Sequence, residues 1–63
     1  MPISGKNLVK KLKKQGWVVV SQSGSHVKLK NGAKITIVPV HANKDLPRGT
    51  IKSIEKQTGE QIL

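Results

Sequence analysis

Three short runs of strand-forming residues, each cut off by a glycine-bearing turn, constrain this chain more than any other feature. They are Trp17-Val18-Val19-Val20-Ser21-Gln22, His26-Val27-Lys28-Leu29-Lys30 and Ala33-Lys34-Ile35-Thr36-Ile37-Val38. Ser23-Gly24-Ser25 separates the first two and Asn31-Gly32 the last two. Runs of this length, rich in β-branched residues and bounded by turn residues, read as strands. The connections are too short for a crossover helix, so the strands form an antiparallel meander. Pro39 ends the donor pattern of the third run, and the chain is expected to leave the sheet after it.

The flanks read as helices. Ser4 is an N-cap candidate for a helix over about 5–15. On it Leu8, Val9 and Leu12 share one stripe. Lys6, Lys10, Lys13 and Lys14 take the other side, with Lys11 flanking them, and Gly16 suits the C′ position. A second helix starts in the turn holding Pro47 and stops at Gly59, with Ile51, Ile54 and Thr58 as its buried stripe. His41–Asp45 is a polar connector, and Ile62-Leu63 either dock on the core or fray. The expected architecture is α+β, a single domain over 1–63, ordered α-β-β-β-α. Its three-stranded antiparallel sheet carries both helices on its apolar face.

Segregation of apolar and polar side chains predicts the register of the second hairpin. A three-residue loop, Lys30-Asn31-Gly32, pairs Leu29 with Ala33, Val27 with Ile35 and Ser25 with Ile37. It also pairs Lys28 with Lys34 and His26 with Thr36. The aliphatics then share one face, while His26, Lys28, Lys34 and Thr36 share the other. A one-residue slip would mix them.

A chain of 63 residues buries only about 60% of its unfolded surface, so any site is shallow and lies on a face or an edge. It has no cysteine for a disulfide or a thiolate zinc site. Its aliphatic runs are too short to span a membrane, and the N-terminus has no apolar signal segment, so the expected compartment is the cytoplasm. Twelve Lys and Arg face three acidic residues, for a net charge of +9, and residues 1–31 hold seven lysines and no acid. Such a field points to a polyanionic partner. With about five phosphates engaged on a single strand, affinity would fall roughly 100-fold between 50 and 200 mM salt.

Two histidines and a scatter of cations carry the chemistry. His26 opens the second strand among lysines, and an imidazole titrates near pH 6.5. RNA cleavage needs a base for the 2′-hydroxyl, an acid for the departing 5′-oxygen and positive charge for the phosphorane. His26 suits either proton transfer, and Lys28 and Lys34 suit the third task. The alternative is a surface histidine without a role. His41 is either a second proton carrier and phosphate contact or a residue bonded to the backbone. Lys44 and Arg48, at the approach to the second helix, either bind phosphate or belong to ordinary capping. The two histidines are far apart in sequence and the acids are Asp45, Glu55 and Glu60, so no metal-ligand spacing is present and no cofactor is expected. Trp17, the only aromatic, is read as core, which leaves little for base stacking.

The chain carries, in order, Ser4-Gly5-Lys6, Gln15-Gly16-Trp17, Gly24-Ser25-His26, Val38-Pro39-Val40-His41 and Lys44-Asp45-Leu46-Pro47-Arg48-Gly49-Thr50, with Ile54 and Gln57 in the last helix. This ordered series resembles the HicA (YcfA-like) mRNA interferase toxins of bacterial type II toxin–antitoxin systems. The resemblance implies a double-stranded-RNA-binding-domain-like fold and a metal-independent endoribonuclease acting on mRNA. It places the family's catalytic histidine on His26. Ser25 and His41 become accessory candidates, and Lys28, Lys30, Lys34, Lys44 and Arg48 the RNA contacts. It implies a HicB-type antitoxin that covers the active face, with DNA met only through that antitoxin. Many members place a second histidine or an aromatic shortly after the motif histidine; here those positions are Val27 and Leu29. Two other readings are a non-catalytic RNA-binding module of the same fold and a basic adaptor for an acidic protein.

Overall fold

A computed structural model describes residues 3–41 and 44–62. The order is α1 (Gly5–Lys14), β1 (Val18–Ser23), β2 (His26–Asn31), β3 (Lys34–Pro39) and α2 (Arg48–Thr58). The strands form one antiparallel sheet in the order β1-β2-β3. This is the expected α-β-β-β-α arrangement. Both helices lie against one face of the sheet, because Leu8 and Leu12 of α1 join Val27, Leu29, Val38, Ile51 and Ile54 in a single buried cluster.

Local chemistry sets the ends of the helices. The Ser4 hydroxyl accepts the Asn7 amide at 3.2 Å, which satisfies one orphan donor of the first turn. Gly16, with φ 97°, turns the chain out of α1 so that Trp17 enters the core at 3% exposure. Pro47 stands at the N-cap of α2, one position before the first turn where it was expected. Gly59 closes that helix with φ 72°. Ile51, Ile54 and Thr58 are the buried stripe, as predicted.

The connector after β3 does more than link. The Leu46 amide donates to the Ile3 carbonyl at 2.8 Å, and Asp45 bridges to Ser4. Leu46, just past the polar connector, is buried in the core. Ala42 and Asn43 of that connector lie outside the described residues. Ile62 docks at 8% exposure, with its amide on Glu55 Oε2 at 2.7 Å. Leu63 lies outside the described residues.

The register of the second hairpin differs from the expectation. The loop is Gly32-Ala33, two residues long, and it pairs Asn31 with Lys34, Leu29 with Thr36, Val27 with Val38 and His26 with Pro39. Thr36 and Val38 therefore face the helices, while Ile35 and Ile37 face outward at 47% and 48% exposure. Two half-exposed isoleucines forgo about 1.5–3 kcal/mol of burial, so apolar segregation alone favours the other register. Two features oppose it. Gly32 has φ 60° at the first loop position, as the mirror-image two-residue turns require. Under the end of α2 the sheet offers a place to a hydroxyl, since buried Thr36 donates to Gln57 Oε1 at 2.8 Å. The first hairpin uses the same device, with Gly24 at φ 58° opening its loop.

Candidate nucleic-acid interface

The face of the sheet turned away from the helices is open, and β2 runs down its middle. Alternation along β2 buries Val27 and Leu29 and exposes His26, Lys28 and Lys30. These three form a ridge with roughly 6.6 Å between successive residues. The neighbours differ on the two sides. On β1, Ser23 stands opposite His26, Ser21 opposite Lys28 and Val18 opposite Lys30, with a bulge at Val20. On β3 the partners are Pro39, Ile37 and Ile35 in the same order. Each basic residue thus has an apolar neighbour across to β3, with opposing Cβ atoms about 4.5–5.5 Å apart.

Lys34 does not share this face. Its parity on β3 matches Thr36 and Val38, and it pairs with Asn31 at the far hairpin end. That is five strand residues from the His26 row, or roughly 17 Å. Its Nζ reaches the Thr58 carbonyl at 3.4 Å and caps the C-terminus of α2. A cation there suits the negative end of the helix dipole. The expected grouping of His26, Lys28, Lys34 and Thr36 is therefore corrected to His26, Lys28 and Lys30, flanked by Ile35 and Ile37. The lysines of α1 are also not on this face. Lys6, Lys10, Lys13 and Lys14 are exposed on the helical layer, so the positive charge divides between two sides of the molecule.

At the His26 end the sheet meets an open groove of about 660 Å³, lined by Pro39, His41, Lys44, Asp45, Leu46, Pro47 and Thr50. Pro39 belongs to both features, since it pairs with His26 and lines the groove. Ser25 is half-buried in the hairpin loop, and its carbonyl accepts the Val40 amide at 2.6 Å. His41 and Lys44 are exposed on the groove, and the His41 carbonyl accepts the Lys44 amide at 3.0 Å. Arg48 is exposed at the start of α2. The fold thus brings His41, Lys44 and Ser25 to the end of the sheet that holds His26. Among the described residues no three histidine or carboxylate side chains gather as metal ligands. No described helix is long and apolar enough to cross a membrane.

Sequence reasoning missed Ile35 and Ile37 on this face, together with Ser21 and Ser23 beside the ridge. The signal for the isoleucines was Gly32, because a glycine-first two-residue loop fixes the parity of the strand that follows it, and the signal for the serines was Gly24, which opens the first hairpin's loop in the same way.

Comparison with known proteins supplies the family. No curated protein sequence matches this chain. The model of the family described as the HicA toxin of bacterial toxin-antitoxin systems matches residues 5–60. That span runs from the first residue of α1 to just past the end of α2 and includes the whole sheet. The chain accordingly belongs to the HicA toxin family of bacterial toxin–antitoxin systems, and this membership implies an antitoxin partner.

Proposed function

We propose that the chain is a metal-independent endoribonuclease that cleaves mRNA on the open sheet face in the cytoplasm, with His26 as general acid or base. A HicB-type antitoxin holds it in check by covering that face. The observation that carries the reading is the placement of His26 at the head of an exposed cationic ridge in a chain of the toxin family.

In this reaction the 2′-oxygen attacks the adjacent phosphorus and loses its proton to a base, while the phosphorus–O5′ bond breaks. The departing O5′ takes a proton from an acid, leaving a 2′,3′-cyclic phosphate and a 5′-hydroxyl. His26 makes one of the two proton transfers. Lys28 and Lys30 lie on its face and stabilise the charge gathered on the phosphoryl oxygens. Lys44 and Arg48 continue the cationic path past the groove, where His41 and Ser25 are the accessory groups. Lys34 drops out of the RNA contacts because its ammonium is engaged at the end of α2.

The test is cleavage of single-stranded RNA by purified protein in EDTA, with the product ends identified. Wild type yields cyclic phosphate ends. His26→Ala keeps the fold, because the side chain is exposed, and slows cleavage by about 100-fold to 10,000-fold. Undiminished cutting by that variant removes His26 from the chemistry. Binding without cutting by wild type leaves an RNA-binding module instead.

A further inference from the structure

We infer that Ile35 and Ile37 are the surface on which the bases of a bound RNA strand rest, so that each cross-strand row of the open face takes one nucleotide. The inference depends on the proposed ribonuclease function and adds the residues that hold the substrate's bases.

The apolar groups available to a base are few. Val27 and Leu29, which follow His26, are 6% and 0% exposed, and Trp17 is 3% exposed. All three belong to the buried core. Among the described residues, the large apolar side chains that are exposed are Val18, Val20, Ile35 and Ile37. Of these, Ile35 and Ile37 form a column with Pro39, in register with Lys30, Lys28 and His26. The β1 side has no such column, because Ser23 and Ser21 stand opposite His26 and Lys28.

The three rows are therefore His26–Pro39, Lys28–Ile37 and Lys30–Ile35. Each joins a basic group to an apolar one, as a nucleotide joins a phosphate to a flat base with an apolar face. Successive rows lie roughly 6.6 Å apart, within the reach of one extended nucleotide step. A strand laid along β2 would set its phosphates on the ridge and its bases over β3. Aliphatic contact reads no hydrogen-bonding edge, so these rows favour bases without choosing among them.

The test uses two short single-stranded 2′-O-methyl oligonucleotides, which cannot be cut through a 2′-hydroxyl. One carries bases and the other is abasic with the same number of phosphates. Wild type binds the first more tightly by about fivefold. The double variant Ile35→Thr/Ile37→Thr, which keeps β-branched residues on the strand, binds both equally, at the abasic level. Each single variant loses part of the preference, and Val18→Thr keeps all of it. A double variant that retains the preference overturns the inference. So does one that loses affinity only for an antitoxin protein, since the column is then a protein contact. Wild type that cuts RNA yet binds both oligonucleotides equally sinks this inference alone. Wild type that neither binds nor cuts RNA sinks the proposed function with it.

Discussion

Gly5 and Gly49 lie in the first turns of the two helices, and the same substitution at each is expected to change stability in opposite directions. Gly→Ala at a position whose backbone an alanine can adopt stabilises by about 0.4–1 kcal/mol, mainly by narrowing the unfolded ensemble. Gly49 is such a position, because a methyl built there meets nothing within 4 Å. At Gly5 the methyl would run into the Pro39 carbonyl oxygen and come within 3.0 Å of Val40 Cα. Both obstacles are main chain, at the point where α1 crosses the end of β3, so no side chain can swing aside. Overpacking of this kind costs about 1–3 kcal/mol, and a backbone obstacle puts Gly5 near the upper end. Subtracting the unfolded-state gain leaves about 2 kcal/mol of destabilisation. In a domain this small each kcal/mol moves Tm by about 4–8 °C. Thermal unfolding followed by circular dichroism should therefore show Gly5→Ala melting roughly 8–16 °C lower and Gly49→Ala about 2–8 °C higher. Shifts of the same sign would refute the claim that backbone approach sets the role of Gly5. Because Pro39 is the cross-strand partner of His26, any adjustment that accommodates the methyl should also lower cleavage, and Gly49→Ala should not.

The two lysines Lys28 and Lys34 are separable by experiment. Lys28→Gln should reduce the slope of log affinity against log salt by about 0.7 on single-stranded RNA, whereas Lys34→Gln should leave the slope alone and lower stability by no more than about 1 kcal/mol. Equal effects on the slope would put Lys34 back among the RNA contacts. Thr36→Val removes a buried hydroxyl but keeps its shape, and the exposed Gln57 amide can turn to water. Urea denaturation should therefore place this variant within about 1 kcal/mol of wild type, and a larger loss would mean that the Thr36–Gln57 bond anchors α2.

The sequence alone determined the elements and their order. Their signals are local and face no competition from elsewhere in the chain: Ser4 as a cap, Gly16 and Gly59 as stops, Leu8 and Leu12 or Ile51 and Ile54 at helical spacing, and β-branched runs between glycine turns. It also placed Trp17 in the core and set His26 and Lys28 on one face, because alternation along a single strand needs no knowledge of its partner. Which residues of β3 join that face was decided only by the tertiary structure. Register depends on the loop and on what lies beneath the sheet. A glycine-first turn at Gly32 and a place for the Thr36 hydroxyl under α2 outweighed the burial of Ile35 and Ile37. Burial favours whichever register hides more carbon, and that rule fails where a surface keeps its aliphatics outside. Lys34 passed from the candidate site to the end of a helix for the same reason. The return of the connector, which buries Leu46 beside Ile3 and lines the groove at the His26 end of the sheet, joins segments some forty residues apart. No periodicity in the sequence records such a contact, because it exists only once the sheet and α1 have fixed where those segments meet.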